Sequence, residues 1–198
     1  MVFSKQQLYE LTTKNGGLFE VQNSIEAFKF CEKLATSHYE NFPVGSLLIP
    51  KHLRKYVFSV YAFSRIADDI ADELTDVSLQ DRIEKLNQYE QLLYDYDLLI
   101  KKKGNPIFVA LHQTIKDLEI PIDLFTKLLI AFKRDINFKQ SVNFSDLLDY
   151  CKYSANPVGE LVLRIFGIKD KLIIEYSDNI CSSLQLINFW QDLSIDIK

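Results

Sequence analysis

The chain has 198 residues, enough for one well-buried domain, and 47% of them are hydrophobic with only six Gly and five Pro, which excludes a disordered or collagen-like polymer. A formal net charge of −4 argues against nucleic acid as the main partner, because binding a phosphate backbone needs a clustered positive surface. The Lys101-Lys102-Lys103 run is too short to reverse this and suits a helix C-terminus, with Gly104 as the stop.

Ser24 is placed to cap a first helix, in which Ile25, Phe28, Cys31, Leu34 and Ala35 recur at helical spacing. A short extended link over residues 40–49 follows, and Pro50 then opens a long helix over residues 51–74. Ser78 and Asp81 start the next helix, which runs to Gly104. Pro106 and Pro121 each suit the start of another, and Ser145 caps one leading through Tyr150 toward Asn156-Pro157-Val158-Gly159. The last apolar-periodic stretch covers residues 169–197. No segment shows sustained period-two alternation or an Asn-Gly hairpin turn, so the expected fold is all-α and a single domain.

Cys31, Cys151 and Cys181 lie far apart without CxxC spacing, which predicts reduced thiols packed as small core residues. Met1-Val2-Phe3-Ser4-Lys5-Gln6-Gln7 lacks the charged start and apolar core of a secretory signal, and no uncharged apolar run reaches the roughly 18 residues of a spanning helix. A cytoplasmic protein is therefore expected, meeting any lipid peripherally at a membrane surface.

Two acidic stripes carry the chemical signal. A step of four residues along a helix turns a side chain by only about 40° and lifts it about 6 Å, so Asp68 and Asp72 share a face, as do Asn188, Asp192 and Asp196. Tyr61, Arg65 and Asp69 fall on the face of the first pair, and Gln185 on that of the second set. Magnesium takes hard oxygen ligands and keeps several waters, so two such stripes can hold ions against a substrate diphosphate. A lone Asp-x-x-x-Asp pair is more often a solvated face. Here Phe58, Val60, Ala62, Phe63, Ile66 and Ala67 surround the first stripe, and Leu184, Leu186, Ile187, Phe189, Trp190, Leu193 and Ile195 the second. Charges on buried helices need partners or a metal, and the two stripes are expected to form facing walls of one cavity.

Four strings tie these stripes to a family. They are His38-Tyr39-Glu40-Asn41-Phe42-Pro43-Val44, Val60-Tyr61-Ala62-Phe63-Ser64-Arg65-Ile66-Ala67-Asp68-Asp69-Ile70-Ala71-Asp72-Glu73, Asp149-Tyr150-Cys151-Lys152-Tyr153-Ser154-Ala155-Asn156-Pro157-Val158-Gly159 and Gln185-Leu186-Ile187-Asn188-Phe189-Trp190-Gln191-Asp192. In order and interval they resemble the squalene and phytoene synthase family of head-to-head prenyl synthases, and within it the bacterial hydroxysqualene synthase (HpnC) type. The resemblance implies an isoprenoid synthase fold, a helical bundle around a central cavity. It implies magnesium, with manganese as a substitute, held by Asp68, Asp69, Asp72, Asn188, Asp192 and Asp196. Arg65 would grip the diphosphate, and Tyr61, Tyr150 and Gln185 would line the cavity as catalytic groups. His38, Tyr39, Asn41 and Phe42 match a flap over the diphosphate, although better-known members carry serine where Tyr39 and Asn41 stand. Gly159 is either a turn between helices or a break that leaves room for a prenyl chain.

The same resemblance implies a prenyl diphosphate lipid as substrate, conversion of presqualene diphosphate to hydroxysqualene on a squalene or hopanoid route, and companion enzymes of that route as partners. No NADPH is expected, in keeping with the lack of a Gly-x-Gly-x-x-Gly segment. Family members continue past the second stripe, so the chain is expected to be C-terminally truncated and to lack the family's last helices. Condensation of two prenyl diphosphates to squalene, phytoene or presqualene diphosphate is the alternative chemistry. An inactive fragment or helical binding module is the alternative of another class.

Overall fold

The structure is a computed structural model that describes residues 3–37, 48–72, 74, 76–137 and 141–196, with residues 96 and 192–196 described by their backbone alone. The chain divides into two compact units, Met1–Ile122 and Asp123–Lys198. Both are helical. Among the described residues the sole β-type pairing is an isolated antiparallel bridge between Val21 and Gly104, so the all-α expectation holds. No described helix is long and apolar enough to cross a membrane.

The first unit contains α1 (Lys5–Leu11), α2 (Ser24–Ser37), α3 (Lys51–Asp72), α4 (Leu79–Gln91), α5 (Tyr96–Lys101) and α6 (Pro106–Leu118). Its centre is α3, which packs on α2 and α6 and buries Phe58, Ala62, Phe63, Ile66, Ala67 and Ile70. Phe63 stacks on Tyr89 of α4 at 5.3 Å between ring centroids, and Phe108 of α6 meets Tyr89 edge-on at 4.6 Å. Each large side chain so buried contributes about 1.5–3 kcal/mol relative to exposure. The Tyr89 hydroxyl stays satisfied by donating to the Phe63 carbonyl at 3.3 Å. A Ser59–Thr114 hydroxyl pair at 2.7 Å joins α3 to α6 through the same core.

Asn105 ties the N-terminal segment to this core. Its Oδ1 caps α6 by accepting from Ile107 N–H at 3.1 Å, while its Nδ2 donates to the carbonyls of Leu11 and Thr13 at 2.7 and 2.9 Å. The residue is fully buried, and its bonds to Leu11 and Ile107 form away from competing water. Gly104 precedes it at φ +123°, a conformation open to glycine, and exchanges two backbone hydrogen bonds of 2.9 Å with Val21.

The second unit contains α7 (Asp123–Ile136), α8 (Phe144–Ser154), α9 (Asn156–Ile165) and α10 (Lys171–Asp196). Helix α10 packs on α9 and α8. Leu128, Leu129, Cys151, Leu161, Ile165 and Leu186 form the buried centre.

Several boundaries differ from the sequence expectation, each for a local reason. Asn23, not Ser24, caps α2, because its Oδ1 accepts from Glu26 N–H at 3.0 Å while Glu26 reaches back to Gln22 N–H at 2.8 Å. Asn143, not Ser145, caps α8 in a full capping box with Asp146. The helix expected to run from Ser78 to Gly104 is interrupted, because Asp95 accepts from the N–H groups of Asp97 and Leu98 and so starts α5 as a new helix. Ser78 does cap α4, and Pro106 does occupy the first turn of α6.

His112 is 5% exposed, and its Nε2 lies 3.0 Å from the Leu93 carbonyl. Burial holds the imidazole below its ordinary value of 6.5, against the upward pull of that carbonyl. A depressed folded-state value means that the unfolded chain takes up the proton first. The contribution is therefore full above about pH 6.5 and is lost as pH falls below it. The melting temperature should drop between about pH 7 and pH 5, and His112→Gln should flatten that slope in thermal melts followed by circular dichroism.

Candidate functional site

The first stripe lies on α3, where a helix this rigid sets each side chain by its position in the turn. Arg65 is the hub. Its Nη2 is 2.6 Å from Asp69 Oδ1, one turn on, and its Nη1 is 3.4 Å from Asp68 Oδ2. The two carboxylates differ sharply in access: the Asp69 side chain is 5% exposed and that of Asp68 is 42%. Asp72 is exposed and Tyr61 is half-buried. Arg65 itself is 27% exposed, and its Nε has no hydrogen-bond partner among the described residues. Burial raises the Tyr89 phenol well above its ordinary value, and the charges of Cys31 and then Asp69 add to that effect. At the end of the helix, Arg82 of α4 donates through Nη1 to the Ala71 carbonyl at 2.5 Å, a cation placed where the helix dipole favours one.

Asp68 and Asp72 are carboxylates one turn apart, both reachable by solvent, and that donor chemistry fits magnesium with part of its water shell retained. Among the described residues no three His, Cys, Asp or Glu side chains come together as a metal cluster. Asp69 differs from Asp68 and Asp72 in being shut away from solvent, and its contact with the Arg65 guanidinium is shorter than that of Asp68.

In the second unit, Tyr150 on α8 donates its hydroxyl to Asp135 Oδ2 on α7 at 3.0 Å. Burial first, and the neighbouring carboxylate second, push this phenol well above its ordinary value, so it stays protonated as a donor. The Tyr150 ring meets Phe189 of α10 at 5.7 Å, beside the second stripe. Gln185 is half-buried and Asn188 is exposed. The backbone of α10 is helical through Asp196, so Asn188, Asp192 and Asp196 keep their four-residue register. The apolar surroundings expected to bury this helix do not do so. Leu184, Ile187 and Trp190 are 56%, 45% and 62% exposed.

Gly159 lies in the first turns of α9 and forms neither the turn between helices nor a break in one. A Cβ at this position would come within 2.5 Å of Ser177 Oγ and 2.6 Å of Cys181 Sγ, both on α10. The missing side chain lets the two helices approach. Ala155 makes the junction from α8 instead, and Asn156 Oδ1 holds α10 by accepting from Ser182 Oγ at 2.9 Å.

His38, Tyr39, Asn41 and Phe42 lie outside the described residues. Two residues at these sites were not singled out by sequence patterning, Asp135 and Arg82. Both are charges within amphipathic helices, Asp135 between Arg134 and Ile136 and Arg82 in the turn after Ser78. Other charges flank both along the chain, so no local pattern marked either.

The family description Squalene/phytoene synthase matches residues 35–198. A hydroxysqualene synthase from Zymomonas mobilis is 35% identical over 161 residues, which cover 80% of this chain and 52% of the relative. A phytoene synthase from Mycobacterium tuberculosis is 27% identical over 171 residues, covering 86% of this chain and 55% of the relative. Among solved structures, squalene synthase HpnC from Alicyclobacillus acidocaldarius superposes with a TM-score of 0.78 at 40% identity, covering 88% of this chain and 64% of that one. The chain belongs to the squalene/phytoene synthase family and has its all-α isoprenoid synthase fold. It spans about half the length of the curated relatives it matches.

The close crossing of α9 and α10 makes a specific demand on Gly159. Gly159→Ala should cost about 1–3 kcal/mol, the usual penalty of overpacking, read as a lower urea midpoint. Adding Ser177→Ala and Cys181→Ala to that variant should return part of the loss, because both atoms in the way are then gone.

Proposed function

We propose that this chain carries the diphosphate-ionising half of a prenyl diphosphate enzyme, with presqualene diphosphate as substrate and hydroxysqualene as product. The observation that carries the reading is Arg65 on α3, partly open to solvent, with Asp68 beside it and Asp72 one turn further on, inside the family match. The 35% identity to a hydroxysqualene synthase and the 40% identity to HpnC support this member of the family's chemistry.

In this reading Arg65 offers a permanently charged, planar fork to diphosphate oxygens, and its attraction grows as the leaving group takes charge. Asp68 and Asp72 would hold magnesium, with Asn188, Asp192 and Asp196 as the second set of oxygen donors. The bound ion would neutralise the leaving diphosphate. The carbon–oxygen bond to diphosphate breaks, its electron pair leaves with the diphosphate, and the cyclopropylcarbinyl cation rearranges. Water then adds its oxygen to the cation and loses a proton, giving the alcohol without a reductant. Tyr150, held as a neutral phenol by Asp135, presents a ring face and an oxygen to such a cation without ionising.

The match to a phytoene synthase favours a second chemistry on the same residues, condensation of two prenyl diphosphates. Purified chain with magnesium should release diphosphate from presqualene diphosphate and form hydroxysqualene, and Arg65→Gln should lower the rate by about 10²-fold or more. Release from farnesyl diphosphate instead would select the condensation reading. Release from neither would leave a non-catalytic helical module. Chelation of magnesium should abolish turnover, and manganese should restore it in part.

A further inference from the structure

The family resemblance gives Asp68 and Asp72 to magnesium and adds Asp69 to them, and the structure separates Asp69 from the other two. Asp68 and Asp72 are open to water, as a ligand to a partly hydrated cation must be. The Asp69 side chain is 5% exposed, and its Oδ1 lies 2.6 Å from Arg65 Nη2. Its Oδ1 is already engaged by a guanidinium, and the side chain is shut away from the water that a partly hydrated cation keeps. Helix geometry also fixes the pair, because residues four apart are neighbours on one face.

Two carboxylates meet the Arg65 guanidinium, and the contact with Asp69 is the shorter. The long side chain has many rotamers, its Nε finds no hydrogen-bond partner among the described residues, and its other ion pair, to Asp68, is longer at 3.4 Å. With Nη2 anchored on the buried side, the rest of the fork stays toward the exposed side, where Asp68 lies. We propose that Asp69 is a positioning residue that holds Arg65 in the orientation that receives diphosphate, and that it is not a magnesium ligand. This rests on the functional reading above, in which Arg65 takes the diphosphate.

The test measures magnesium alone and inorganic diphosphate with magnesium by titration calorimetry, on the whole chain and on Asp69→Asn, Asp72→Asn, Arg65→Gln and the Arg65→Gln/Asp69→Asn double variant. Asp69→Asn should weaken diphosphate binding about tenfold while leaving the half-saturating magnesium unchanged. Asp72→Asn should raise the magnesium requirement. The double variant should bind no more weakly than Arg65→Gln alone, because Asp69 acts through Arg65. A rise in magnesium requirement for Asp69→Asn equal to that of Asp72→Asn would overturn the assignment, as would unchanged diphosphate binding or additive losses. Should Asp69→Asn fail to fold, Asp69→Glu keeps the charge and displaces it, and the same split between diphosphate and magnesium is expected.

Thermal melts of the same variants separate the two layers of the argument. Non-additive melting losses at positions 65 and 69, in a chain that binds no diphosphate, would leave the ion pair purely structural. That result would overturn both the positioning role and the functional reading beneath it. Additive melting losses with normal diphosphate binding would overturn the positioning role and leave the functional reading standing.

Discussion

An ion pair one helical turn long governs how the charged face of α3 is presented. Arg65 and Asp69 sit on the helix around which the first unit's core is built, so their geometry is set by the packing of Phe63, Ile66 and Ile70 on the same rod. Removing one partner of a fully buried pair costs about 3–5 kcal/mol, and less here because Arg65 keeps 27% of its side chain in solvent. That partial exposure places one edge of the guanidinium against the core and leaves the rest toward solvent. Asp68 and Asp72 need no such anchoring, since solvated carboxylates are at ease where they stand.

The fold was legible in the sequence where periodicity and capping chemistry agreed. Apolar repeats located α2 and α10, Pro50 marked the start of α3, and Pro106 and Ser78 marked real helix starts. Caps were misplaced by a residue or two where two candidates stood side by side, as with Asn23 and Ser24, since the choice depends on which side-chain oxygen reaches the third amide. Asp95 was overlooked because its neighbours continue the apolar pattern across the break, and only the geometry of its cap reveals that the helix restarts.

The candidate site was legible in residue types and less so in roles. Four-residue spacing located Asp68 and Asp72, and the resemblance added Asp69 to them, because neither spacing nor motif reports depth. Depth comes from what packs above each position, which is a long-range property: Asp69 lies near Tyr89, twenty positions further along the chain. Gly159 shows the same limit. Beside a proline it suggested a turn or a break, yet its role is set by Ser177 and Cys181 on another helix. The Tyr150–Asp135 bond joins α8 to α7 across fifteen residues, and no local pattern announces it.

Asn105 sets a limit on how small the first unit can be made. The family match begins at residue 35, but two acceptors of the fully buried Asn105 amide, the carbonyls of Leu11 and Thr13, lie well before it. A chain started at the edge of the match would leave that Nδ2 donor without its two acceptors and would remove most of α2 itself, taking Ala27, Cys31 and Leu34 out of the core. The segment ahead of the match therefore behaves as part of the folding unit. The contacts that complete its core reach back to Leu11, ahead of the family match.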